Sequence, residues 1–236
     1  MPPAAGALGA YRDTDFPSGN TPWREATFTV IDLETTGLDP TRDEIISFAA
    51  VTVTDGKVRL DDARYELVRP DRMPDAETIR IHGLREADLT DAPSLAAVLE
   101  RLLEPLTGRA LVAHVAAVER GFLGTALRPY GARLRNPIID TAMLDRELRR
   151  LRGAPDAERE PIGLSAMARE LNLPVHRPHH AEGDALTTAQ AFIALATHLE
   201  AFETPLTLGR LQRLSEREGR YRRRGLVRRL IRRLRV

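Results

Sequence analysis

An apolar run that ends in two acids on one face constrains this chain most: Phe28-Thr29-Val30-Ile31-Asp32-Leu33-Glu34-Thr35-Thr36-Gly37. Side chains alternate along a strand, so Asp32 and Glu34 share a face about 7 Å apart along the chain, close enough to hold one ion between them. Setting two like charges beside Val30, Ile31 and Leu33 is expensive unless a cation or a partner neutralises them. A solvated strand end would carry the same pattern at little cost, so the motif takes its meaning from the rest of the chain.

That context lies near residue 180. Arg177-Pro178-His179-His180-Ala181-Glu182-Gly183-Asp184 leads into a run whose apolar residues Ala185, Leu186, Ala189, Phe192, Ile193, Leu195 and Ala196 recur near helical spacing. Asp184 falls in the first turn of that helix, where the dipole favours a carboxylate and aims it at a neighbouring element. His179 precedes it by five residues, at the helix edge. An imidazole with an ordinary pKa near 6.5 is suited to take a proton from water at neutral pH.

These segments resemble the first and third motifs of the DnaQ-like, DEDDh-type 3′-to-5′ exonucleases, a family that includes polymerase proofreading subunits and RNase T-like enzymes. The first motif, Asp-x-Glu followed by Thr-Gly, is matched by Asp32, Glu34, Thr36 and Gly37. The third, a His five residues before an Asp with Ala two after the His, is matched by His179, Ala181 and Asp184. The spacing selects His179 over His180, which is expected to face solvent or to lie behind the site.

The second motif departs from the pattern. Where the family shows Ala-His-Asn-Ala-x-Phe-Asp, this chain has Ala113-His114-Val115-Ala116-Ala117-Val118-Glu119. Glu119 keeps the charge and the oxygen ligands while adding one methylene, which a modest shift of backbone or rotamer accommodates. A surface charge beside Arg120 is the competing reading of Glu119. Ile81-His82-Gly83-Leu84 resembles the family's His-Gly-Ile segment, and His82 is expected to be a turn residue outside the chemistry. Asp140, in Pro137-Ile138-Ile139-Asp140-Thr141, is expected to cap a helix or to support the site from behind.

The resemblance covers roughly residues 27 to 201 and implies an α/β, RNase H-like fold: a central mixed sheet, opening with an antiparallel meander, flanked by helices. Patterning agrees. Asp55-Gly56 between two β-type runs signals a hairpin, and helical periodicity then alternates with strands at 110–113 and 137–140 before helices near 141–151, 163–172 and 182–201. Residues 1 to 22, rich in Pro, Gly and Ala, read as a flexible lead-in; 23–203 as the exonuclease domain; 204–236 as a basic extension with an amphipathic helix.

Composition excludes some classes. The chain has no cysteine, so disulfides and thiolate metal sites are out. No apolar run approaches membrane-spanning length and the first 22 residues lack a basic start with a strong apolar core, so a cytoplasmic location is expected. Residues 219–236 hold nine arginines and no acid in a chain of net charge +1, which leaves −8 on everything before them. That segment suits nucleic acid through counterion release, and its stripe of Leu226, Val227, Leu230, Ile231 and Leu234 equally suits a protein partner or an anionic membrane surface.

The resemblance implies hydrolysis of phosphodiester bonds from a 3′ end, releasing nucleoside 5′-monophosphates, with two Mg²⁺ per site and Mn²⁺ as a substitute. Asp32, Glu34 and Asp184 would hold one ion, Asp32 with Glu119 the other, and His179 would accept the proton of the attacking water. The expected partner is the 3′ end of single-stranded DNA in preference to RNA, with a polymerase as a possible protein partner. The competing readings are an RNA-directed exonuclease and a catalytically weakened binding or partner-docked regulatory module, motivated by Val115, Val118 and Glu119.

Overall fold

A computed structural model of the chain describes residues 6–154 and 162–216. Five strands form one mixed sheet: β1 (Phe28–Thr35), β2 (Ile45–Thr54), β3 (Lys57–Leu67), β4 (Ala110–Ala113) and β5 (Ile138–Asp140), in the order β3-β2-β1-β4-β5. β1 pairs antiparallel with β2 and parallel with β4, and β4 pairs parallel with β5. The opening meander expected from the sequence is present. Its hairpin turns at Asp55 and Gly56, both with positive φ (54° and 66°), the conformation that favours Asp-Gly between strands.

β1 is central, so both of its faces are covered, and the alternation of side chains sorts its residues between two cores. Phe28 and Val30 join Val51, Val112 and Ile139 under α6 (Thr141–Leu151), α7 (Leu164–Glu170), α8 (Ala181–Glu200) and α9 (Leu208–Glu216). Ile31 and Leu33 join Phe48, Leu111 and Ile138 on the other face, under α1 (Ala7–Asp13), α4 (Leu95–Leu103) and α5 (Ala116–Leu127). Short helices α2 (Ala76–His82) and α3 (Glu86–Leu89) connect β3 to α4. Asp32 and Glu34 continue the α8-side face beyond its apolar part.

α8 crosses β1 and β2 closely because Ala181, Ala185 and Ala189 present methyl groups on successive turns, all fully buried. Farther along, Phe192 meets Phe28 edge-on at 4.8 Å between ring centroids and Trp23 at 6.0 Å. Truncating such a ring costs about 3–5 kcal/mol. This anchor fixes where the first turn of α8, and Asp184 with it, comes to rest.

Two segments outside the expected domain limits pack against it. Within the lead-in, residues 7–13 are helical, and Leu8 and Tyr11 are buried; the Tyr11 hydroxyl donates to Asn136 Oδ1 at 2.6 Å and accepts from the Arg135 N–H at 3.1 Å. The Pro- and Gly-rich composition concealed a helix of about two turns with an i, i+3 apolar pair. At the other end, Leu206, Leu208, Leu211 and Leu214 enter the α8-side core, and the segment pairs with residues 21–23 through Trp23 N–H to Leu206 O (2.9 Å) and Leu208 N–H to Thr21 O (2.9 Å). The arginine-rich segment 219–236 and its expected helix lie outside the described residues. No helix among the described residues is long and apolar enough to cross a membrane.

Candidate active site

Three of the five expected residues come together as a compact acid cluster. Asp32 and Glu34 arrive from the end of β1 and Asp184 from the first turn of α8, with one carboxylate oxygen of each within 4.8 Å of the others. Burial pushes the Asp32 carboxyl well above the usual range, and Glu34, Asp184 and Glu119 add to it. Burial and then Asp184 push Glu34 up to about 8. Asp184 rises to about 6 through burial, held back by the N–H and ring of His179. Acids that resist ionising together in this way welcome a cation, whose charge replaces the protons.

Glu119 lies beside this cluster, outside the group of three. It sits on the first turn of α5, which only His114 and Val115 separate from the end of β4, and it is only 3% exposed. The surface-charge reading is therefore excluded. Its Oε2 has no hydrogen-bond partner among the described residues. Burial, with Asp140 and Glu34, pushes its carboxyl up to about 8. A buried, unpartnered carboxylate oxygen beside three more acids suits a divalent cation, which prefers hard oxygen ligands.

His179 stands in the loop before α8 with a positive φ of 60°, and its backbone N–H donates to Asp184 Oδ2 at 2.9 Å. The loop lies tight against the helix. A Cβ on Gly183 would fall 2.3 Å from His176 O and 2.7 Å from Arg177 O, so the residue before Asp184 has room only for hydrogen. His180 turns elsewhere: half-buried, it stacks on Tyr65 of β3 at 4.8 Å. It is thus neither solvent-facing nor aimed into the cleft.

Asp140 does more than cap one helix. Its Oδ1 accepts the Ala142 N–H at 3.0 Å, capping α6, and its Oδ2 accepts the Ala116 N–H at 3.0 Å, at the start of α5. Val115, the N-cap residue of α5, has no side-chain acceptor, so the cap comes from the neighbouring strand. Asp140 thereby sets the position of the turn that carries Glu119. Its carboxyl still rises to about 6 through burial, because the bonds it accepts only partly offset desolvation.

The end of β1 opens on a cleft of about 510 Å³, lined by Asp32, Glu34, Glu119, His179 and Asp184 and, from α7, by Leu164, Ser165 and Arg169. Sequence reasoning gave no role to His114, which also lines the cleft, its Nδ1 within 2.9 Å of Thr141 Oγ1 and its ring pushed down to about 4 by burial. Nor did it place His82 close to the site. That ring accepts the Leu84 N–H at 2.9 Å and is pushed down to about 4 by burial and then by His179. The only signal for either was its place within a quoted motif.

The family model described as Exonuclease (RNase T) matches residues 29–192. A DNA polymerase III subunit epsilon-like protein of Rhodobacter capsulatus is 35% identical over 184 residues, covering 77% of this chain and 25% of its own length. A PolC-type DNA polymerase III of Thermotoga petrophila is 34% identical over 172 residues, covering 72% of this chain and 12% of its own. The chain spans a quarter or less of the length of these curated relatives. Among solved structures, Exonuclease X in complex with 5′-overhanging duplex DNA aligns with a TM-score of 0.58 at 26% identity, over 78% of this chain and 99% of that one. E. coli Exonuclease I in complex with a dT13 oligonucleotide aligns at 0.65 and 17% identity, over 75% and 42%, a likeness of fold. Because the matched span runs from the start of β1 into α8, across every element that supplies an acid to the cleft, the chain belongs to the exonuclease family, with its RNase H-like fold.

Proposed function

We propose that this protein is a metal-dependent 3′-to-5′ exonuclease that shortens single-stranded DNA and releases nucleoside 5′-monophosphates. One observation carries the reading: Asp32, Glu34 and Asp184 converge to within 4.8 Å in a cleft that also holds the unpartnered Glu119 oxygen. Asp32, Glu34 and Asp184 would hold one ion, and Asp32 with Glu119 a second, with Mg²⁺ in the cell and Mn²⁺ as substitute. Bound there, such a pair supplies Lewis-acid stabilisation of the charge that builds on the attacking and departing oxygens.

The chain's own residues do the rest. The His179 imidazole takes the proton of the attacking water at a ring nitrogen, and the main-chain bond to Asp184 keeps that ring beside the acids. As the new P–O bond forms, the bond to the 3′-oxygen of the preceding nucleotide breaks, and that oxygen takes a proton from solvent water to leave a 3′-hydroxyl on the shortened strand. Burial of Glu119 with a free oxygen speaks for a working ligand over a weakened module. DNA is favoured because Exonuclease X was solved with it, and a polymerase partner because the relatives are named for DNA polymerase III. We place the activity in the cytoplasm, with the arginine-rich 219–236 segment as an aid to polyanion capture.

The test is release of mononucleotide from 3′-labelled and 5′-labelled single strands, DNA and RNA in parallel, with Mg²⁺ or EDTA. Early label release from the 3′-labelled DNA strand in Mg²⁺, absent in EDTA, is the expected result. Internal cuts, or activity in EDTA, would defeat the reading.

A further inference from the structure

The four acids share their cleft with α7, and α7 presents the opposite chemistry. Its buried side, Leu164, Met167 and Ala168, locks the helix into the α8-side core. α7 packs directly on α8, the helix that carries Asp184, so its position relative to the acids is fixed by packing. Ser165 and Arg169 lie one turn apart on the open side, an i, i+4 pair, and both line the cleft.

Arg169 is exposed, and its guanidinium makes no hydrogen bond or ion pair among the described residues. The acid next to it, Glu170, is engaged by Arg149, which also holds Asp145 at 2.9 Å. Among the described residues lining the cleft it is the one guanidinium, set against Asp32, Glu34, Glu119 and Asp184. A guanidinium left unpaired across a cleft from a cluster of acids has a geometric reason to be there: it matches phosphate with a planar fork of donors, and a serine hydroxyl one turn earlier adds a further donor.

We propose that Ser165 and Arg169 form a phosphate subsite that takes an internucleotide phosphodiester of the substrate strand, upstream of the bond to be cut. The inference rests on the reading that the cleft holds a polynucleotide 3′ end. The acids and their cations serve the scissile phosphate; the strand behind it carries further charges that those acids repel, and α7 supplies what holds one of them. Arg169 is on this account a positioning residue that raises affinity and sets the register of the 3′ end.

The experiment uses the full chain, a dT oligonucleotide with Mg²⁺, and the same strand with a neutral methylphosphonate at one linkage at a time. Arg169→Gln should raise the half-saturating strand concentration about 10- to 100-fold, the scale of a charge-assisted hydrogen-bonded contact. Arg169→Lys should recover part of this, Ser165→Ala should weaken binding by a smaller factor, and the salt dependence of binding should fall by roughly one phosphate contact in Arg169→Gln. At one linkage the methylphosphonate should weaken binding to the wild type yet cost Arg169→Gln nothing more, while other linkages cost both proteins alike. Losses that add at every linkage, or an unchanged half-saturating concentration in Arg169→Gln, overturn the subsite while leaving the exonuclease reading intact. A wild type that fails to shorten the unmodified strand overturns both.

Discussion

The Asp184 carboxylate accepts the backbone N–H of His179 at 2.9 Å, so the acid from α8 holds in place the loop that presents the imidazole. The five-residue spacing between them is the length of chain needed to leave the cleft, turn at the N-cap position of His180, and re-enter on the first helical turn. Gly183 makes this possible by letting the helix approach the carbonyls of His176 and Arg177.

Gly183→Ala should therefore act on the loop. Its Cβ would meet backbone oxygen at 2.3 Å, and backbone cannot swing aside as a side-chain tip can. We expect destabilisation of about 1–3 kcal/mol, the usual scale of overpacking, and a rate loss larger than the stability loss explains, since His179 moves with the loop. Calorimetry and single-turnover hydrolysis check this; a wild-type rate would show that the loop does not depend on the contact.

The two neighbouring histidines should separate cleanly. His179→Ala should slow hydrolysis by about 10²- to 10⁴-fold, the scale of lost acid–base catalysis. His180→Ala removes a ring stacked on Tyr65 and should cost far less in rate. Equal losses measured at saturating Mg²⁺ would reverse the assignment.

Much of this site was legible because strand alternation and helical spacing are local. Asp32, Glu34 and Asp184 declared themselves through period-2 and first-turn positions, and β1 lies where its apolar run puts it. What stayed hidden depends on contacts between distant segments. Nothing near Val115 announces that Asp140 caps α5, since the two meet only when β4 and β5 pair. Tyr11 sits in a stretch whose prolines and glycines suggest a loose lead-in, and its partner Asn136 is 125 residues away. Arg169 carries no local signal at all.

Tyr11 offers a test of whether this segment packs on the domain. Tyr11→Phe keeps the ring but leaves the buried Asn136 Oδ1 without its donor, which should cost about 1–3 kcal/mol. Tyr11→Ala should cost about 3–5 kcal/mol through the cavity it opens. Denaturant unfolding measures both. A flexible lead-in would leave the midpoint unmoved.

The raised acids fix the sign of a pH effect. Glu34 and Glu119 move from an ordinary 4.5 up to about 8, so the metal-free native state binds more protons than the unfolded chain between those values. Their contribution is fully present below about 4.5 and is lost as pH rises through about 8. In EDTA, melting temperature should fall between pH 5 and 8 by more in the wild type than in Glu119→Gln. Mg²⁺ should lift the wild-type melting temperature more at pH 8 than at pH 5, because at pH 8 the cation competes with fewer bound protons. An equal lift at both values would show acids that ionise freely without it.

Glu119 decides between an adapted enzyme and a decayed one. It is buried within the electrostatic reach of Asp140 and Glu34 with a free oxygen, and the cap from Asp140 sets the turn that carries it. If that turn is placed for the longer side chain, Glu119→Asp withdraws the carboxylate by one methylene and should lower the rate with a rightward shift in the Mg²⁺ titration. Glu119→Ala should cripple hydrolysis at any Mg²⁺ concentration. Both variants should fold: Glu119→Asp keeps one carboxyl on the same turn, and Glu119→Ala takes one acid out of a repelling group in the metal-free protein. Asp140→Asn, which keeps a capping oxygen, should act in the same direction through the α5 terminus but more weakly. A decayed site reverses the order: wild type would be slow, Glu119→Ala would change little, and Glu119→Asp with Val115→Asn would speed hydrolysis. Single-turnover rates across the Mg²⁺ titration distinguish the two, and an unchanged rate and metal curve in Glu119→Ala would remove Glu119 from the site.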